Sequence, residues 1–171
     1  VIVRIVIPTR IGSALKSLEE FPAHVLQAIA TTLDDENQLT VGHIVQNRMT
    51  GTGPFPPEEG KLGVRSNVLR RSIRASKASI VGSAVVSSIG TNIEYAAIHE
   101  FGGVIPPHDI RPRRGKALRF MIGNAVITVG KVRHPGSTIP KRAPIARGIE
   151  DRTANYRNAV GAAITSTWDQ T

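Results

Sequence analysis

The chain predicts an α+β fold: a mainly antiparallel β-sheet of hairpins packed by long N-terminal and C-terminal helices. Three observations lead there. Two β-rich stretches are each split by a glycine-led pair, Gly82-Ser83 and Gly123-Asn124, as hairpins are. Apolar residues recur at helical spacing both before residue 50 and after residue 144. At 171 residues the chain is of single-domain size and can bury a core without disulfides or metals.

The elements follow in order. Val1–Ile7 is β-branched around Arg4 and stops at Pro8, which suits a first strand better than a signal peptide. From Ser13 the apolar positions Leu15, Leu18, Val25, Leu26, Ile29 and Leu33 fall on a helical face. Asp34-Asp35-Glu36-Asn37 interrupts this pattern, and Ile44, Val45 and Met49 resume it, so one long bent helix or two in tandem is expected. Residues 50–67 are rich in Gly and Pro and form a long loop. A short helical turn around Val68 and Leu69 precedes two strands, Ile73–Val81 and Ala84–Gly90. Residues 94–101 return to helix, closed by Gly102-Gly103. A basic loop over about 104–116 leads to a second hairpin, Leu118–Ile122 with Ala125–Val132. Another loop, HPGSTIPKRAP, ends at Pro144, well placed in the first turn of a last helix. Ile145, Ile149, Tyr156, Val160, Ala163, Ile164 and Trp168 share one broad face of it.

Charge and composition narrow the function. Residues 60–147 hold 16 Lys or Arg against Glu94, Glu100 and Asp109, within a chain of net charge +9. Such a face is either a solvated surface or one lying near a polyanion, duplex DNA held by its backbone above all. Aromatic residues make up only 4%, too few for platforms that stack on single strands. With no cysteine, disulfides and thiolate zinc ligation are excluded. No apolar run approaches the roughly 20 residues that cross a bilayer.

The stretch EYAAIHEFGG sets His99 beside Glu100 on one short helix, as zinc hydrolases do. The zinc motif needs a second histidine one turn on, but Gly103 stands there and His108 follows two prolines. No serine elbow or phosphate-cradling Gly-Lys-Ser/Thr loop is present. Helix-turn-helix geometry also finds no place in the basic region. The sequence therefore points away from an enzyme and to no cofactor or metal. Instead, Ile93, Ala97 and Phe101 are placed to dock the short helix on the sheet, and Tyr95 and His99 are one turn apart, in reach of a polar contact.

The runs LRRSI, IGTNIEYAAIHEFGG and HPGSTIPKRAPI resemble the neck and tail-completion proteins of tailed bacteriophages, the group of phage virion morphogenesis proteins and the lambda-type minor tail protein Z. The resemblance covers about residues 52–150, and members commonly read P-x-R-P-F-L where this chain has Pro140-Lys141-Arg142-Ala143-Pro144-Ile145. It implies a structural virion protein of the head–tail neck, assembled in the bacterial host cytoplasm. Its implied partners are copies of itself in a ring, hexameric in preference to dodecameric. Connector or stopper proteins and tail terminator or tube proteins would adjoin that ring. On this reading Tyr95, His99, Phe101, Gly102 and Gly103 form an architectural hinge. Arg111, Arg113, Arg114, Lys116 and Arg119 face either genomic DNA, through phosphate only, or a neighbouring subunit. The rival reading is a stand-alone basic nucleic-acid-binding protein. The long loops at 50–67 and 104–116 are expected to order mainly against neighbours.

Overall fold

A computed structural model of the chain describes residues 2–6, 23–50, 60–82, 84–113 and 115–168, with residues 2–6 and Trp168 described by backbone alone. Expectations for Leu15, Leu18, Ser83, Arg114 and the stretch 51–59 fall outside these residues. The fold is α+β, and every described strand pair is antiparallel.

Strand β4 (Ala84–Gly90) is the centre of the main sheet. Its residues alternate, with Val85, Ser87 and Ile89 buried on one face, as a half-covered strand requires. Strand β1 (Ile2–Val6) lies along one edge of it, from Ile2 opposite Gly90 to Val6 opposite Val86. Strands β2 (Arg74–Ala75) and β3 (Ser79–Val81) share the other edge. The single strand expected over Ile73–Val81 is thus interrupted at 76–78. There the Ser76 hydroxyl stands in for a carbonyl, accepting from the Ser88 N–H at 2.9 Å. Nearby, Asp34 draws the chain toward the helical layer by accepting from the Ala78 N–H at 2.6 Å.

Helix α1 (Ala23–His43) covers the buried face of the sheet and runs without a break into a π-helical turn over Ile44–Arg48. The polar run Asp34–Asn37 does not interrupt it, because these side chains have tertiary partners. Asp34 holds β3, and Glu36 accepts from Arg152 at 2.6 Å. Asn37, fully buried, donates to the Ser87 hydroxyl at 2.9 Å and accepts from the Tyr156 hydroxyl at 2.7 Å. A satisfied buried network costs little, whereas a broken one leaves a desolvated group behind.

The C-terminal helix is two helices, α4 (Pro144–Asp151) and α5 (Thr153–Trp168), separated at Arg152. The break is held in place because the Arg152 guanidinium donates to both Thr40 and Glu36 of α1. Two core clusters result. One joins Val25, Ile29 and Leu33 of α1 to Val85, Tyr156 and Val160. The other joins Ile44, Met49, Leu69, Ile73, Ile89, Ala96 and Ile145. Leu69 belongs to helix α2 (Val68–Ser72), the short turn expected there. At Gly148 the two helical layers touch: a Cβ there would stand 2.4 Å from Ile44 Cγ1.

Candidate functional site

Helix α3 (Ala96–Phe101) contains the His99-Glu100 pair, and it is a clamp. Helix α4 begins at Ala143-Pro144 with no Ser, Thr, Asp or Asn to cap it, so its first N–H groups need partners from elsewhere. Helix α3 supplies them. The His99 carbonyl accepts from Arg142 and Ala143 at 3.0 and 3.1 Å. The Glu100 carboxylate accepts from Ile145 at 3.1 Å and Ala146 at 2.8 Å, and Pro144 has no N–H to satisfy. Glu100 is 2% exposed, and its negative charge sits at the positive end of α4. The clamp also holds Ala143 in the left-handed region at φ 47°, a strain that its surroundings must outweigh. Sequence reasoning noticed Glu100 only as the partner of His99 in a zinc spacing that fails, and missed its capping role. The available signal was a proline-started helix lacking a cap of its own.

The five motif residues separate in space and role. Gly102, at φ 74°, turns the chain sharply, and a Cβ there would stand 2.9 Å from Lys141 N. Gly103 begins the next strand. Phe101 does not dock the helix as expected: it is 65% exposed, and Ala96 is the residue buried instead. The cause is helical phase, since Ala96 and Glu100 share the inner face and Phe101 follows on the outer one. Tyr95 and His99 meet as rings, edge to face with centroids 6.3 Å apart, where a polar contact was expected. His99 Nδ1 is buried and unpartnered among the described residues. Burial, and then the nearby Arg142 charge, hold the His99 pKa below the usual histidine value.

Beyond the clamp the expected loops 104–116 and 134–144 contain short paired strands. Strand β5 (Gly103–Ile105) pairs with β10 (Ser137–Ile139), β6 (His108–Ile110) with β9 (Val132–His134), and β7 (Leu118–Ile122) with β8 (Ala125–Val129). These nested pairs make one ribbon arm from Gly103 out to the Gly123-Asn124 turn and back to Ile139. The prolines hid this: Pro106, Pro107, Pro112 and Pro135 all stand between paired segments, where no ladder N–H is needed. The His108 and His134 rings stack across the ribbon at 4.9 Å.

The basic residues occupy one place on this arm. Ile110 pairs with Val132 and Leu118 with Val129, so residues 111–117 stand opposite only 130–131 and must bulge. Arg111, Arg113 and Lys116 are exposed on the bulge, and Arg119 is exposed just beyond it. None of the four has an ion-pair partner among the described residues. Arg133 and Lys131, by contrast, share Asp109 at 3.2 and 3.4 Å. Past the bulge the tip is apolar, with Met121 68% and Ile122 64% exposed.

At the root of the arm lies a crevice of about 480 Å³, bounded by residues 62–70, by Tyr95 and His99, and by Ile139 and Pro140. Its floor is apolar, from Met49, Leu62 and Leu69, while Arg65, Arg70 and Arg142 stand around it. Among the described residues no group of three or more His, Asp or Glu is placed to hold a metal ion. No described helix is long and apolar enough to cross a membrane. No protein-family model, curated protein or solved structure matches the chain.

Proposed function

We propose that the chain is a structural subunit of a tailed-bacteriophage particle, forming a homo-oligomeric ring at the head–tail neck that completes or connects the tail. The observation that carries this reading is the arm. A two-stranded ribbon is marginally stable alone in water. This one leaves Val104, Ile110, Phe120, Met121, Ile122 and Val126 exposed. Apolar groups spread along a projecting ribbon suit a subunit completed by its neighbours. The residues that carry the phage-neck resemblance, EYAAIHEFGG and IPKRAPI, build the clamp from which this arm starts. In that setting the clamp aims the arm and does no chemistry.

The basic bulge favours a second role within the same reading. Arg111, Arg113 and Lys116 present forked or point charges with no acid among the described residues to neutralise them, which suits passing phosphate. Sedimentation and negative-stain imaging of the purified chain test the proposal. Rings that form without DNA are expected. A monomer that binds duplex DNA tightly and never assembles overturns the ring and favours the stand-alone nucleic-acid binder.

A further inference from the structure

The register of the arm runs unchanged through a joint that cannot form a ladder. Ile105 stands opposite Ser137 and His108 opposite His134, so Pro106, Pro107, Pro135 and Gly136 fill the gap, two against two. Three of the four are prolines and have no N–H. The fourth, Gly136, turns its N–H back to His134 Nδ1 at 3.0 Å, at a φ of 90° that only glycine adopts readily. A Cβ on Gly136 would stand 2.7 Å from the Ile105 carbonyl oxygen, so the two sides of the ribbon touch there. This glycine contact and the stack of His108 on His134, with ring centroids 4.9 Å apart, close the joint.

The two histidines make opposite demands on a proton. The Pro106 carbonyl can only accept, so His108 Nδ1, 2.9 Å away, carries a hydrogen. The Gly136 N–H can only donate, so His134 Nδ1 is bare and the neutral ring carries its hydrogen on Nε2. A second proton on His108 goes to Nε2 and leaves its bond intact. A second proton on His134 goes to Nδ1, where it meets the Gly136 N–H donor to donor, and two charged rings in a stack repel. The neighbouring groups do not offset this. Strands β5 and β10 carry no titratable side chain, and the next pair out on the histidines' own face is Ile110 with Val132. Asp109 leaves β6 on the opposite face, where Arg133 and Lys131 hold it at 3.2 and 3.4 Å. We propose that His134 is a proton-operated latch: with Nδ1 bare it holds Gly136 and closes the joint, and with Nδ1 protonated it releases Gly136 and lets the arm beyond residues 108 and 134 swing. The latch needs only the ribbon and does not depend on a ring.

Histidine side chains change charge between about pH 5 and 8. From the upper end of that span to the lower, hydrogen-exchange protection of the Gly136 amide, corrected for the intrinsic rate, should fall about two- to tenfold, the size of one net hydrogen bond. His134→Asn places a non-titrating acceptor two residues before the same N–H, as in an Asx turn, and should keep protection across the whole span. His134→Phe keeps a ring in the stack without an acceptor and should be unprotected throughout. The joint lies outside both core clusters, so these variants should melt as the parent does. Imidazole nitrogen shifts test the parent alone: at the alkaline end, hydrogen is expected on Nδ1 of His108 and on Nε2 of His134. With no cysteine in the chain, spin labels at exposed Val126→Cys and Arg157→Cys report the arm's position. Their distance distribution should broaden toward acid in the parent and not in His134→Asn. Protection that does not change with pH in the parent, an acid loss that persists in His134→Asn, or the opposite tautomer at His134 overturns the latch. So does a distance distribution that ignores pH while Gly136 is released.

Discussion

Replacing Glu100 with alanine removes two charge-assisted hydrogen bonds at once, to Ile145 N at 3.1 Å and Ala146 N at 2.8 Å. Both donors then lie at a helix start that has no local cap to replace the carboxylate. Hydrogen bonds to charged groups contribute about 1.5–3 kcal/mol each, but the two share one side chain and do not add fully. Loss of an N-cap costs about 0.5–2 kcal/mol in other helices. Burial at 2% exposure keeps water from replacing the lost acceptors. These bounds place Glu100→Ala at about 2–4 kcal/mol of destabilisation. At about 2–4 °C per kcal/mol for a chain of this size, the melting temperature should fall by roughly 4–16 °C. Glu100→Gln keeps one carbonyl acceptor but turns an amide donor toward a backbone donor, so its cost should fall between parent and alanine. Urea unfolding measures the stabilities, and hydrogen exchange at Ile145 and Ala146 localises the effect. An alanine variant within about 0.5 kcal/mol of the parent, the range of ordinary surface changes, would refute the clamp.

Gly148→Ala sets helix propensity against packing: alanine gains about 1 kcal/mol in a helix interior, while overpacking costs about 1–3 kcal/mol. With Ile44 Cγ1 2.4 Å from the added Cβ, packing should win, and Ile44→Ala in the same chain should relieve part of the loss on urea unfolding. Tyr156→Phe leaves the buried Asn37 carbonyl without its hydroxyl donor and should cost about 1–3 kcal/mol by the same assay. Acid should destabilise the fold in two windows. Arg48 chiefly, and His43, hold the Asp151 pKa below the usual carboxylate range, so its contribution is present above about pH 3.9 and lost as pH falls through the depressed value. Half-buried His99 favours its neutral form, so the unfolded chain takes up a proton first and stability falls as pH drops below about 6.5. His99→Gln should flatten only this upper window in a pH series of thermal melts. Changing Arg111, Arg113 and Lys116 together to Gln should leave the melting temperature near the parent's. If these side chains touch phosphate, the salt dependence of duplex binding should become shallower by about 0.9 per lost contact. An unchanged salt slope would mean that the bulge is solvated surface.

The sequence by itself determined those features that depend on neighbours along the chain. The glycine-led pair Gly82-Ser83 marked the start of β4, and Gly123-Asn124 marked the distal hairpin. The spacing of Val25, Ile29 and Leu33 marked α1. Proline at position 144 marked the start of α4, and Gly102 the end of α3. Failure of the zinc spacing at Gly103 likewise needed no structure. What tertiary structure decided lies between residues far apart in the chain. Asp34, Glu36 and Asn37 stay inside one helix because Ala78, Arg152, Ser87 and Tyr156 meet them across the core. Segments full of proline became a ribbon because their partners, 132–139, return beside them, and strand pairing of this kind leaves no local period to read. The His-Glu pair acquired its role in the same way. Glu100 looks catalytic beside His99 in one dimension, and in three it ends against the uncapped N–H groups of a helix some 45 positions later.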